Sequence, residues 1–105
     1  QYRFFLGKYP KSILFFQVGR FFEFYDRQAE IIQGFSELKE MEATRGFRKR
    51  CGFHVSLKER YLKMFLSMNF GVCVVKEAVY GLSRIKKRSV TKLYLPKYKN
   101  FITNF

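Results

Sequence analysis

The stretch SILFFQVGRFFEFY, residues 12–25, holds two apolar runs separated by Gly19 and Arg20. The first, Ile13 to Val18, is short and ends at a glycine, which predicts a buried strand. The second crowds Phe21, Phe22, Phe24 and Tyr25 around one acid, Glu23. A helix cannot bury four adjacent rings on one face, whereas strand alternation divides them. Phe21, Glu23 and Tyr25 then share one face, with Phe22 and Phe24 on the other. Two readings of the first face stay open. Either it is a half-buried strand with an accidental acid, or it offers a ring to a nucleic-acid base with an acceptor two residues on.

Working outward, Pro10 closes any helix that precedes the first strand. Asp26 is placed to cap a helix over residues 26–35, with Gly34 as its stop. Residues 36–46 read as a helix end or an edge strand. The clearest helix is SLKERYLKMFLSMN, residues 56–69. Ser56 and Glu59 have the spacing of a capping box. Leu57, Tyr61, Met64, Phe65 and Met68 recur at helical spacing as a core stripe, with Lys58, Arg60 and Lys63 on other faces. GVCVVKEAV, residues 71–79, reads as a second buried strand punctuated by Gly71 and Gly81. RSVTKLYLP, residues 88–96, reads as a third, stopped by Pro96; residues 97–105 give no clear signal. The order of elements predicts an α+β fold, a single mixed β-sheet flanked by helices.

The chain has 105 residues, which fits one domain over 1–105. Apolar residues make up 48% of it, which argues against disorder. Fourteen Phe and seven Tyr exceed what a core of this size is expected to use. Lys and Arg number 21 against 8 Asp and Glu, a net charge of +13 that calls for a polyanionic partner. Nucleic acid leads, ahead of an anionic membrane surface, an RNA-rich assembly or a bland basic surface. No apolar run approaches the ~18–20 residues of a membrane helix. The chain starts at Gln1 rather than Met, so an excised piece of a larger protein is expected. Cys51 and Cys73 lack CxxC spacing and His54 stands alone, which predicts no metal site and two reduced, partly buried thiols in an intracellular protein.

Enzyme readings fail on the residues themselves. No nucleophile, base and orienting group assemble around His54, no Walker A loop is present, and no cofactor motif stands out. Glu37, Glu40 and Glu42 read as a solvated face. The cations are grouped instead. RGFRKR supplies Arg45, Arg48, Lys49 and Arg50, and SRIKKRSVTK supplies Arg84, Lys86, Lys87, Arg88 and Lys92. Both clusters flank turns or strand edges, where side chains reach a phosphate backbone without reading sequence.

The ordered set of motifs resembles the N-terminal mismatch-recognition domain, domain I, of the MutS family of DNA mismatch repair proteins. KYPKSILFFQVGRFFEFYDRQA is similar to the family's Tyr-Pro, apolar strand and G-x-F-Y-E run. CGFHVSLKERYLKMFLSMNFGVCVVKEA and RSVTKLYLPKY follow in the family's order. The resemblance implies that Phe21 enters the minor groove and stacks on a mispaired base while Glu23 hydrogen-bonds that base. It implies double-stranded DNA with mispairs or distortions as the partner, for which Arg20 and the two basic clusters are expected to contact the backbone. It also implies further domains of a dimeric MutS-like parent. The chain departs from the family pattern at Arg20, at Phe22 in place of Tyr, and at Phe53-His54, where a Pro is lost. It departs again at Pro96-Lys97-Tyr98 and in its high charge. These departures imply a divergent member, with RNA or general DNA binding in an accessory module as the alternative.

Overall fold

The computed structural model describes residues 1–79 and 86–95, with the backbone alone for residues 78–79 and 86–87. Among these residues five strands form one mixed sheet: β1 (Ser12–Val18), β2 (Phe21–Tyr25), β3 (Arg50–His54), β4 (Gly71–Val79) and β5 (Lys86–Tyr94). Their spatial order is β3-β2-β1-β4-β5. β1 pairs with β4 in parallel, and every other pairing is antiparallel. Among the described residues three α-helices accompany the sheet: α1 (Tyr2–Lys8), α2 (Asp26–Gly34) and α3 (Lys58–Ser67). This is the mixed α+β architecture that the apolar patterning implies.

The sheet is covered on both faces, which is where the aromatic excess goes. On one face α2 and α3 bury Ala29, Ile32, Tyr61, Leu62 and Phe65 against Phe15, Phe22, Phe24 and Phe53. The rings of Phe53 and Tyr61 stack with centroids 4.2 Å apart. On the other face α1 sets Tyr2 and Phe5 over Leu14, Phe16, Tyr25, Cys73 and Val75. The expectation that the rings outnumber the needs of the core is therefore corrected. A two-faced sheet needs two sets of apolar residues, and among the described Phe residues only Phe4, Phe21 and Phe35 are exposed.

Strand alternation in β2 holds, but both of its faces are buried from Phe22 onward. β3 is an element that patterning missed. It contributes only Cys51 and Phe53 to the core, across Gly52. Residues 36–49 form neither a helix nor a strand, apart from a single bridge between Met41 and Arg50.

Two caps differ from their expected form. Asp26 does not cap α2. It is the first helical residue, at φ +51°, and its carboxylate accepts the backbone N–H groups of Arg48 at 2.6 Å and Lys49 at 3.1 Å. α2 still ends at Gly34. The Ser56–Glu59 capping box does not form either. A 3₁₀ turn, Val55–Leu57, precedes α3, and the Ser56 N–H donates to His54 Nδ1 at 3.1 Å. That turn leaves Leu57 exposed instead of in the core stripe, which consists of Tyr61, Leu62 and Phe65 with Met64 and Leu66 packed beside them. β5 begins two residues before the expected strand, and Pro96, Gly81 and the tail lie outside the described residues.

Candidate nucleic-acid interface

Phe21 is the first residue of β2, directly after the turn at Gly19 and Arg20. Gly19 adopts φ +60°, a conformation that glycine reaches without a Cβ penalty. The turn is braced from the neighbouring strands. The Gly19 N–H donates to Glu77 Oε1 at 2.5 Å, and Gln17 Nε2 donates to the Gly19 carbonyl at 3.0 Å. On the other side the Val55 N–H donates to the Arg20 carbonyl at 2.9 Å. The rigid turn presents Phe21 40% exposed, in edge contact with the His54 ring, while Arg20 projects into solvent.

Glu23 is on the same face, two residues along, but only 5% exposed. Its carboxylate accepts the Tyr25 hydroxyl at 2.7 Å and pairs with Arg50 Nη1 at 3.4 Å. The register explains the trio. Gly52 faces Glu23 across the β2–β3 ladder, and Arg50 faces Tyr25, which makes Arg50 the diagonal neighbour of Glu23. Burial and the Glu23 hydrogen bond both push the Tyr25 hydroxyl well above its ordinary range, so it stays a donor. Gly52 is required where it stands, because a Cβ there would come within 2.6 Å of the Phe22 carbonyl oxygen.

The sequence-predicted cations separate into different roles. Arg20, Arg45 and Arg48 are exposed, and Lys49 is partly so. Phe47 holds the loop that carries Arg45, Arg48 and Lys49, stacking on Tyr25 with centroids 4.3 Å apart. Arg50 turns back onto the sheet to meet Glu23. Arg88 does the same at the opposite side of that face. It pairs with Glu77 at 3.5 Å, donates to the Gln17 carbonyl at 2.9 Å and lies over the Phe16 ring. Lys92 is exposed on β5. Lys86 and Lys87 open β5 opposite Val79 and Ala78, and Arg84 lies outside the described residues.

Two cations that patterning did not single out join Arg48 and Lys49. Arg3 of α1 donates to the Gly46 carbonyl and lies over the Phe47 ring. Arg27 of α2 completes an open basic cleft of about 650 Å³, in which Asp26 and Glu30 also take part. Neither residue falls in a charge run, so only the fold brings them in. The cleft is at the Tyr25 end of β2, about 14 Å from Phe21 at the usual strand rise.

Among the described residues no three His, Cys, Asp or Glu side chains converge on a point. Cys51 and Cys73 are free and fully buried, and burial pushes their thiols up to about 12 and about 11. Among the described residues no helix is long and apolar enough to cross a membrane.

Compared with known families, residues 1–97 match the model of MutS domain I. No curated protein matches the chain.

Proposed function

The chain belongs to the MutS domain I family, and on that premise we propose that it recognises mispaired or distorted duplex DNA with Phe21 as an aromatic wedge and Glu23 as the acceptor beside it. Such domains serve mismatch recognition in general. The observation that carries the finer reading is the exposed Phe21 ring on a braced turn, next to β2 residues that are otherwise buried. A mispaired step costs less to unstack than a normal one, so an apolar wedge gains most there. Arg20, Arg45, Arg48 and Lys49, with Arg3 and Arg27, would hold the phosphate backbone, and so would Arg84, Lys86 and Lys87 of the second cluster. The domain has no catalysis of its own in this reading. It works inside a larger, dimeric MutS-like protein in an intracellular compartment.

A second reading is favoured by one specific observation. Glu23 is engaged by Arg50 and Tyr25, so its negative charge is offset towards DNA. An accessory module that binds DNA or RNA with little mismatch selectivity would look like this.

One experiment separates the two. Affinities of the 105-residue chain for matched duplex, mismatched duplex and structured RNA are measured at two salt concentrations, with and without Phe21→Ala. Mismatch recognition predicts tighter binding to the mispair. Phe21→Ala should remove roughly 5- to 150-fold of that affinity, the equivalent of about 1–3 kcal/mol of stacking. Equal affinities for both duplexes, unmoved by Phe21→Ala, would refute it. RNA binding at or above the level of DNA would support the accessory module.

A further inference from the structure

A carboxylate beside a base-stacking ring is a selectivity device. Where no base offers a donor, its charge opposes the phosphates and penalises normal duplex. That penalty depends on the charge being unopposed, and here it is opposed from within the fold. Arg50 Nη1 lies 3.4 Å and 3.5 Å from the two Glu23 carboxylate oxygens. Gly52, directly opposite Glu23, has no side chain to intervene. The Tyr25 hydroxyl binds the same oxygen as the closer Arg50 contact. The pair is also incompletely satisfied on the Arg50 side. Its Nε is buried without a hydrogen-bond partner, so the guanidinium is held by the carboxylate and not by a full network.

We propose that Arg50 is a specificity-determining residue of this interface: it neutralises Glu23 against matched duplex and yields the carboxylate only where a displaced base offers a donor. Arg50 was expected to contact phosphate as one member of a basic cluster. In the new role it lowers discrimination, because matched duplex meets a neutral pair in place of a bare acid. A mispair must offer enough to offset the lost Arg50 contact. The inference rests on the reading of Phe21 and Glu23 as the base-contacting pair.

The test is a double-mutant cycle on the 105-residue chain, with the ratio of matched to mismatched Kd as readout. Arg50→Gln should raise that ratio by roughly three- to tenfold, mainly by weakening matched-duplex binding. Arg50→Lys keeps the charge and should return the ratio towards wild type. In a Glu23→Gln background, Arg50→Gln should leave the ratio unchanged. If Arg50→Gln weakens both duplexes by one common factor in both backgrounds, Arg50 is a plain phosphate contact and the proposal falls. Should Arg50→Gln fail to fold, the double variant Glu23→Gln with Arg50→Gln decides. It should abolish the mismatch preference while changing matched affinity less than about threefold, since one neutral pair replaces another. A tenfold change in matched affinity would mean that the two charges act separately on the duplex and would overturn the proposal. A wild-type chain with no mismatch preference, insensitive to Phe21→Ala, overturns the reading of the site itself. A wild-type preference that survives Arg50→Gln unchanged overturns only the role of Arg50.

Discussion

Gly52→Ala tests the packing that positions Phe21 and Glu23. A Cβ at Gly52 would stand 2.6 Å from the Phe22 carbonyl oxygen and 3.5 Å from Glu23 Cγ. The closer atom is backbone, so no rotamer change relieves the clash. β2 and β3 must move apart by about 0.4 Å before the contact reaches even the 3.0 Å that real Cβ atoms respect. The strain spreads along a ladder that runs from Phe21↔His54 to Tyr25↔Arg50. Overpacking of this kind costs about 1–3 kcal/mol, and a rigid obstacle puts the expected loss at the upper end, about 2–3 kcal/mol. With a urea m of about 1–3 kcal/mol/M, the unfolding midpoint should fall by roughly 0.7–3 M. Gly7→Ala is the internal control. Nothing lies within 4 Å of its Cβ position, and it is in a helix, so it should gain up to about 0.5–1 kcal/mol. The reasoning is refuted if Gly52→Ala unfolds within about 0.5 kcal/mol of wild type at unchanged m.

Other outcomes follow from particular groups. The Arg48 and Lys49 backbone N–H groups hold the Asp26 carboxyl below its ordinary range. A depressed folded pKa gives stability that is present above the unfolded value and lost as pH falls through the folded one. Between pH 7 and pH 3, Tm should therefore drop further for wild type than for Asp26→Asn, which also tolerates the left-handed backbone. Buried and protonated, Cys51 and Cys73 should ignore a thiol reagent at pH 8 in the native state and both react in urea, as read by mass spectrometry. Arg48 and Arg88 should part ways. Arg48→Ala should reduce the salt slope of DNA binding by about one with little change in Tm. Arg88→Ala should lower Tm instead, because Arg88 braces Glu77 and Gln17 behind the Gly19 turn.

Much of this molecule was legible in the order of its residues. The apolar runs mark β1 and β4, the stripe at Tyr61 and Phe65 marks α3, and alternation sorts Phe22 and Phe24 to one face of β2. β3 was hidden because five residues with two core side chains and a glycine carry too little periodicity. The caps failed for a related reason. Asp26 and Ser56 have the right spacing, but each is engaged elsewhere, Asp26 by the backbone N–H groups of Lys49 and Arg48 from a distant loop and Ser56 by His54. At the interface, placing Phe21 and Glu23 on one face needed only strand geometry. The burial of Glu23 depends on Arg50, 27 residues away in the chain. Local pattern has no access to that pairing, and it assigned Arg50 by its charged neighbours. Arg3 and Arg27 escaped for the same reason, since tertiary structure alone brings them to the cleft.

The parallel pairing of β1 with β4 also bears on how the protein is made. Ser12 faces Gly71 in that ladder, a partner synthesised 59 residues later. At about 5–20 residues per second, the wait lasts roughly 3–12 s. β1 and β2 can close their hairpin within microseconds of emerging, far ahead of the rest. During the wait, SILFFQV is a nascent edge strand with an open, strongly apolar ladder. The centre of the finished sheet is thus the most adhesive surface of the unfinished chain. Chaperone demand during translation should be set by how soon β4 arrives.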